Sequence, residues 1–394
     1  MTPTIRHPGE LRWETRLLAV IVATLVVFGL VAVYGASSLT MANGRYTDYA
    51  EALKQLSGVA IGGILLMACS RIDYYVWRRL AWPLLLGVVA LLVFMLLPGT
   101  EQFAPERNGA RRWLRLGPAS FQPSELARFA IVVWCAMLAS KKGAQLREFK
   151  KGVLPFVVVL GLVFLLVVLQ RSMSMASLIT ILGGIVLFSA GARIGHFAVL
   201  VGVAALVGVN FIMAASYRMA RVMTFLEGGD PQGGALQTNQ SIIGFGSGQL
   251  FGVGLGEGSQ KLGYLPYAYS DFVFSHIGEE WGFLGVCFVV GLYALFCWLG
   301  FRIARTAAEP FGQFLAIGLT ATVGVTAALH MAVNLNLMPN TGLTLPFVSS
   351  GRSSLVIYLL GAGILINIGR MRGRPRAAPV RVRAEGAAPR RARR

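Results

Sequence analysis

Asp271 is the residue whose chemistry and position best suit proton transfer. It follows Ser270 and opens a long apolar run, so we expect it at or just inside the N-terminus of a membrane helix, near the outer bilayer edge. An aspartate there can cap the helix, or it can accept a proton from a substrate hydroxyl. The spacing leaves both roles open. The small residues on its helical stripe, which would admit a closely packed helix or a lipid chain, are Ser275, Gly278, Gly282 and Gly285.

A second polar segment contains two adjacent arginines and a glutamate. Arg111 and Arg112 suit phosphate, because a guanidinium donates two parallel hydrogen bonds. Pro123 is typical of the first turn of a helix. Glu125 would then lie near the positive end of the helix dipole, three residues before Arg128, a suitable ion-pair partner. The segment is either an ordinary charged helix start or an anion site in which Glu125 positions a cation or a guanidinium.

Further cations stand close to predicted helix starts. Arg352 and Ser353 enter the last apolar run, where a helix N-terminus favours an anion. Lys261 lies in a glycine-rich stretch a few residues before Asp271. These positions extend the candidate anion site beyond the arginine pair.

Glu279 and Glu280 lie within the apolar run that Asp271 opens. Ionisable side chains there are costly and are usually partnered, and His330 on a neighbouring run is the kind of partner we expect. A packing role is the simpler interpretation of both glutamates. The chain contains no Walker A motif, Rossmann fingerprint or HExxH motif, so ATP-driven chemistry is not indicated.

These residues need a scaffold, and the composition indicates a membrane helix bundle. Of the 394 residues, 55% are hydrophobic and 13% charged, against about 25% charged in soluble domains. A bilayer core of about 30 Å needs roughly 20 apolar residues per helix. We therefore predict an all-α fold of about ten transmembrane helices, with a large structured extracytoplasmic loop at 216–270 between helices seven and eight. The predicted crossings are 17–38, 54–70, 80–97, 124–140, 153–169, 173–190, 195–215, 271–299, 312–335 and 353–370.

The distribution of charge predicts the orientation of this bundle in the membrane. The net charge is +19, and most of the 36 Lys and Arg residues fall on the side of the N-terminus, so both ends are predicted to be cytoplasmic. The chain then divides into a cytoplasmic segment at 1–16, a membrane domain at 17–370 and a disordered basic cytoplasmic tail at 371–394. Because topology explains the charge, no nucleic-acid partner is predicted. The outer loop 98–123 carries four arginines against the rule, which favours an anionic ligand there.

Five ordered stretches resemble the SEDS family (shape, elongation, division and sporulation). They are spread over about 17–370 and read NGARRWLRLG, FQPSE, GSGQLFGVGLGEGSQKLGYLP, DFVFSHIGEEWGFLG and NTGLTLPFVSSGRSS. The segments GVGLGEGSQK and DPQGGALQTNQS are more similar to the division member of the family than to the elongation member.

The resemblance implies an activity, a substrate and partners. It implies a multi-pass enzyme of the bacterial inner membrane that polymerises lipid II into peptidoglycan strands during septal wall synthesis. Such an enzyme works with a class B penicillin-binding protein and other division proteins. The family's proposed catalytic aspartate matches Asp271, which would be the general base. The residues expected to bind substrate, with their cations neutralising its pyrophosphate alone or together with Mg²⁺ or Mn²⁺, are Arg111, Arg112, Glu125, Lys261, Arg352 and Ser353.

The chain also departs from the family pattern. Tyr269 and Ser270 stand where a histidine and a threonine are usual, and 170–174 reads QRSMS instead of Gln-Pro-Asp-x-Gly. Two alternatives therefore stay open: a lipid II flippase or transporter, which needs polar groups through the midplane and two alternating states, and a catalytically weak division scaffold. The gathering of candidate residues at the outer edge favours the enzyme.

Overall fold

The structure is a computed structural model that describes most of the chain. The described residues are 10–37, 41–42, 45–46, 50–106, 109–117, 119–198, 236–262, 264–266 and 268–372, with single positions between 202 and 225.

The apolar runs fold as helices, because a bilayer offers no water to their backbone groups and a helix satisfies them internally. The helices with their bounds are α1 (Glu10–Ser37), α2 (Ala50–Arg71), α3 (Tyr75–Phe94), α4 (Pro123–Lys142), α5 (Leu154–Leu169), α6 (Met173–Ser189), α7 (Leu236–Gly248), α8 (Val273–Arg305), α9 (Pro310–Asn334) and α10 (Arg352–Arg370). The strands form two antiparallel pairs, β1 (Met41–Ala42) with β2 (Arg45–Tyr46) and β3 (Leu114–Leu116) with β4 (Ala119–Phe121). Single turns of 3-10 or π-helix occupy Gly143–Arg147, Phe149–Val153 and Gln260–Leu262.

The predicted polytopic all-α fold is confirmed. Nine of the ten predicted crossings coincide with α1–α6 and α8–α10. Eight described helices are long and apolar enough to cross a bilayer, and α6 is a shorter apolar helix. The predicted crossing at 195–215 lies almost entirely outside the described residues. At the N-terminus, residues 10–16 form the first turns of α1 and extend that helix beyond the predicted crossing.

α4 and α10 lie at the centre of the bundle, and α2 and α3 lie at its edge. Most side chains of α4 and α10 are buried, whereas α2 and α3 direct large apolar side chains such as Ile64 and Leu86 outward. The closest helix neighbours are α2 with α10, α8 with α9, α3 with α4, and α7 with α8. α2 is therefore a peripheral helix whose protein contacts are concentrated on α10.

α8 is interrupted at Gly282. Its φ of 64° and ψ of −164° belong to a region that essentially only glycine adopts. The break exposes backbone groups of α8, and the segment 249–254 pairs with them. The bonds across this joint run from Phe283 N to Gln249 O (2.9 Å), Leu284 N to Leu250 O (3.2 Å), Val253 N to Glu279 O (3.0 Å) and Gly254 N to Glu280 O (3.2 Å).

Protein covers the small-residue stripe of α8. A side chain at Gly278 would overlap the Phe245 ring of α7, and one at Gly248 would overlap the Gly278 carbonyl. The alternative in which Gly278 and Gly282 line a lipid groove is therefore wrong, because these glycines admit α7 and the segment 249–254. The predicted structured loop thus contains a helix, α7, that its sequence pattern did not reveal.

Both ends of the membrane domain meet on one side of the bundle. Glu14, near the start of α1, forms ion pairs with Arg302 near the end of α8 and with Arg372 just after α10. Arg372 is buried, so the predicted disorder of the tail is wrong at this residue. Residues 373–394 of that tail lie outside the described residues.

Candidate functional site

Asp271 lies in the turn before α8, which begins at Val273 with Phe272 in the N-cap position. The placement of Asp271 as the helix cap is therefore wrong by one residue. Its side chain is half-buried, and this position leaves the carboxylate at the bundle end rather than inside a helix. A partly exposed side chain at the end of the bundle is a suitable placement for a general base, which must reach a substrate outside the protein.

Asn334, the last residue of α9, holds the Asp271 turn against the bundle. Its buried side chain donates from Nδ2 to the Asp271 carbonyl (3.1 Å) and accepts at Oδ1 from the Ser275 N–H (3.0 Å). The amide thus satisfies one of the unpaired N–H groups at the start of α8. Asn334 is not among the predicted site residues, although a polar side chain at the end of an apolar run was a signal.

The segment 340–351, between α9 and α10, packs on the other side of the same turn. Ser349 Oγ donates to the Ser270 carbonyl (2.7 Å), and Ser350 N–H donates to the Tyr269 carbonyl (2.9 Å). Gly342 has a φ of +65°, and a Cβ on it would lie 3.7 Å from Asp271 Oδ2. The structure therefore brings the segment before α10, which leads to Arg352 and Ser353, against the turn that carries Asp271.

Arg352 and Ser353 begin α10 beside this turn. Arg352 is half-buried, and its stem lies over Gly58 of α2. Ser353 Oγ accepts from the Gln122 N–H (3.3 Å) and donates to the Ser120 carbonyl (3.4 Å). Ser353 therefore ties α10 to the start of α4, and its hydroxyl is engaged by protein.

Glu125 and Arg128 form the predicted ion pair, with Arg128 Nη2 2.6 Å from Glu125 Oε2. The Arg128 side chain is 1% exposed and the Glu125 side chain 5%. Arg128 Nη1 also donates to the Tyr358 hydroxyl (2.7 Å), and its Cζ lies 4.3 Å from that ring's centroid. Glu125 therefore positions a guanidinium, that of Arg128, in the interior of the bundle. The pair holds α4 against α10.

Arg111 and Arg112 contact residues of their own loop and of the α5–α6 turn. Arg111 Nη2 lies 2.7 Å from Glu101 Oε1. Arg112 donates from Nε to the Gln170 carbonyl (3.4 Å) and from Nη2 to the Arg171 carbonyl. The altered motif 170–174 is thus bound directly by a predicted phosphate ligand.

Glu279 and Glu280 have partners other than the one predicted. Glu279 Oε1 accepts from Ser259 at both N–H (2.7 Å) and Oγ (2.9 Å), and Glu280 Oε1 lies 3.4 Å from His276 Nε2. His330 Nδ1 instead lies 2.7 Å from the Leu343 carbonyl, so its assignment to the glutamates is wrong. Glu279 therefore holds the glycine-rich loop against α8, whereas Glu280 pairs with a residue of its own helix.

Two remaining expectations concern Lys261 and a cation. The backbone of Lys261 lies in the 3-10 turn Gln260–Leu262, and its side chain is outside the described part of the chain. Among the described residues, no group of three or more His, Cys, Asp or Glu side chains could hold a metal ion. These residues do not fit a resident metal site made of protein ligands alone.

Comparison with known proteins decides the family. The family model of the FtsW/RodA/SpoVE cell cycle proteins matches residues 15–373. The chain belongs to this family. It is 40% identical over 368 residues to the "Probable peptidoglycan glycosyltransferase FtsW" of Geobacter sulfurreducens, covering 92% of this chain and 97% of the relative. It is 36% identical to the "Stage V sporulation protein E" of Bacillus subtilis, covering 90% and 96%.

Solved structures show the same fold. A chain described under "Structural coordination of polymerization and crosslinking by a peptidoglycan synthase complex" has a TM-score of 0.73 and 26% identity, covering 91% of this chain and 98% of its own. The rod shape determining protein RodA of Thermus thermophilus has a TM-score of 0.67 and 27% identity, covering 90% and 96%. The SEDS family assignment is confirmed, and the higher identity to FtsW agrees with a division-type member.

Proposed function

We propose that this protein is a peptidoglycan glycosyltransferase that polymerises lipid II into β-1,4 glycan strands during septal wall synthesis, releasing undecaprenyl diphosphate. The observation that carries the proposal is the placement of Asp271. Its half-buried side chain lies at the bundle end, on a turn whose backbone carbonyls accept hydrogen bonds from Asn334 and Ser349. The names of the FtsW relatives and the family's bacterial inner-membrane location support the same reaction.

In the proposed reaction Asp271 acts as the general base. It takes the proton from the 4-hydroxyl of the acceptor sugar, and that oxygen attacks the anomeric carbon of the donor. The bond from this carbon to the pyrophosphate breaks, and the electron pair leaves with undecaprenyl diphosphate. Because the donor is α-linked and the product β-linked, the carbon inverts, so base and leaving group lie on opposite faces of the donor sugar.

Cationic side chains are proposed to stabilise the leaving pyrophosphate. Arg352 suits this role because it begins α10 next to the Asp271 turn, where the helix N-terminus also favours an anion. Arg111 is paired with Glu101, and an exposed pair of this kind is weak enough to exchange for phosphate. Arg112 and Lys261 are proposed as further phosphate contacts, and Glu125 and Ser353 act by fixing α4 and α10.

If a divalent cation takes part, we propose that it binds together with the substrate pyrophosphate rather than in a site formed by the protein alone. Mg²⁺ commonly binds through one or two carboxylates together with substrate phosphates. The described residues do not supply a complete set of ligands, so no step is assigned to a metal ion.

A crosslinking partner is proposed from the structural neighbour. That neighbour comes from a peptidoglycan synthase complex that coordinates polymerization and crosslinking. A class B penicillin-binding protein and other division proteins are therefore the proposed partners of this chain.

The test is lipid II polymerisation by the purified full-length protein with its transpeptidase partner. Asp271→Asn keeps the size of the side chain and removes the base, so we expect the rate to fall by about 10²- to 10⁴-fold. Glu257→Gln, an exposed carboxylate in the nearby glycine-rich loop, is the matched control and keeps the normal rate. A normal rate for Asp271→Asn would overturn the assignment. Lipid II movement across vesicles without polymerisation would favour the flippase, and neither activity would favour the scaffold.

A further inference from the structure

Gln55 is a buried polar residue on α2, a helix at the edge of the bundle. It is 1% exposed, whereas its neighbours Leu53 and Leu56 point outward. A buried amide in a membrane helix is costly unless its donor and acceptor both find partners. Core packing alone therefore does not explain a glutamine at this position.

Both ends of the Gln55 amide bind the backbone of one short segment. Nε2 donates to the Ser349 carbonyl (3.0 Å), and Oε1 accepts from the Gly351 N–H (3.2 Å). A side chain bonded at two points fixes both the distance and the orientation of the backbone that it binds. Gln55 therefore fixes residues 349–351 relative to α2.

Residues 349–351 in turn hold the backbone immediately before Asp271. Ser349 Oγ donates to the Ser270 carbonyl (2.7 Å), and it accepts from the Leu345 N–H (2.8 Å). Ser350 N–H donates to the Tyr269 carbonyl (2.9 Å). A continuous series of hydrogen bonds thus leads from Gln55 to the turn that carries the proposed base.

Two neighbours on the same face of α2 reinforce this contact. Glu51 Oε2 accepts from Ser350 Oγ (3.2 Å), and a Cβ on Gly58 would lie 3.2 Å from Arg352 Cγ. Glu51, Gln55 and Gly58 are spaced four and three residues apart, so they form one stripe along the helix. This stripe faces the segment that carries the proposed phosphate ligand Arg352.

We propose that Gln55 is a positioning residue for glycosyl transfer, which holds Asp271 and Arg352 in register through residues 349–351. The proposal rests on the proposed function of Asp271. Reactions between well-oriented groups are sensitive to small displacements, and a shift of about 1 Å can cost about 10²-fold in rate. Losing both bonds of Gln55 is therefore expected to slow catalysis more than it weakens substrate binding.

The first test is Gln55→Met, which keeps the length of the side chain and removes both bonds. Polymerisation is measured with the full-length protein and its partner, together with hydrogen–deuterium exchange over 266–272 and 345–352. We expect kcat per folded molecule to fall about 10- to 100-fold, with KM changed by less than about twofold, and exchange to rise in both segments. Ser57→Ala is the matched control, because Ser57 Oγ is exposed and donates only to the Lys54 carbonyl of its own helix (2.7 Å).

Gln55→Glu separates the two bonds. It keeps an acceptor for the Gly351 N–H but replaces the donor to Ser349 with an oxygen that repels the Ser349 carbonyl, so we expect kcat per folded molecule to fall at least as far as in Gln55→Met. A merely structural role would lower the yield of folded protein and leave kcat per folded molecule unchanged. That result, or exchange unchanged over both segments, would overturn the proposal, as would failure of both variants to fold.

Asp271→Asn in the same assay distinguishes failure of the proposed base, Asp271, from failure of the positioning role of Gln55. If Asp271→Asn is inactive and Gln55→Met keeps its kcat, only the positioning role is wrong. If Asp271→Asn keeps the normal rate, the proposed base is wrong, and the positioning role stated for Gln55 is wrong with it.

Discussion

A carboxylate buried in a membrane helix needs a permanent partner, and Glu125 has one in Arg128. The pair gains little over apolar residues of the same size, but removing one member leaves an uncompensated buried charge. We therefore predict that Glu125→Gln lowers the free energy of unfolding by about 3–5 kcal/mol, measured by denaturant titration of the purified protein in detergent. The same variant should retain activity in the fraction that stays folded, because Glu125 faces Arg128 and not the outer surface.

A second substitution tests this explanation of the loss. Arg128→Met combined with Glu125→Gln removes both charges and should recover most of the lost stability, because no unpaired ion remains. Glu257→Gln, which changes an exposed carboxylate, should alter stability by less than about 0.5 kcal/mol. A double variant as unstable as Glu125→Gln alone would show that the ion pair is not the cause.

At the level of elements, the break in α8 is the feature that allows the segment 249–254 to pair with the helix backbone. Gly282 adopts a backbone conformation that costs other residues about 1–3 kcal/mol, and a Cβ there would lie 2.7 Å from the Leu250 carbonyl. We predict that Gly282→Ala destabilises the protein by at least this amount and raises hydrogen–deuterium exchange over 249–254. The thermal unfolding midpoint and the exchange rates are the measurements.

The same helix supplies the control for this prediction. Gly291 lies on the outward face of α8, and a Cβ added to it meets nothing within 4 Å. Gly291→Ala should therefore leave stability unchanged or raise it by up to about 1 kcal/mol, because alanine favours the helix. If both variants lose the same stability, helix propensity or detergent contact explains the loss, and the conformation of Gly282 does not.

This break also marks the limit of what the sequence could predict. Runs of apolar residues predicted α1–α6 and α8–α10, because the length of a bilayer-spanning helix is set by the bilayer itself. α7 and the joint at Gly282 were not predicted, since the conformation of the segment 249–254 depends on hydrogen bonds to residues 279–284 of α8, which come later in the chain. A single sequence carries no direct signal of that pairing.

The site shows the same division between local and distant information. The position of Asp271 before a helix and the Glu125–Arg128 pair follow from spacings of a few residues, and both were predictable. The bonds from Gln55 to residues 349–351 join positions almost 300 residues apart in the chain. Only the packing of α2 against α10 makes them neighbours, so the positioning of the site could not be derived from motifs.

For the whole molecule, the ion pairs of Glu14 bring the start of α1, the end of α8 and the residue after α10 to one side. The loop between α4 and α5 is rich in lysine, which the positive-inside rule assigns to the cytoplasm. The proposed reaction requires Asp271 and the loop 98–123 to lie on the opposite, outer side. Topology is therefore a condition of the proposed function and can be tested separately from it.

We predict that single cysteines will react according to this topology. The test uses a protein whose four native cysteines are replaced by serine or alanine. Glu101→Cys and Glu148→Cys then introduce single cysteines at positions whose side chains are 68% and 61% exposed. A membrane-impermeant maleimide added to intact spheroplasts should label Glu101→Cys at once and Glu148→Cys only after permeabilisation. Tyr264→Cys, at an exposed position in the loop before Asp271, should behave like Glu101→Cys. Labelling of Glu148→Cys alone in intact cells would place Asp271 in the cytoplasm and exclude its proposed reaction with outward-facing lipid II.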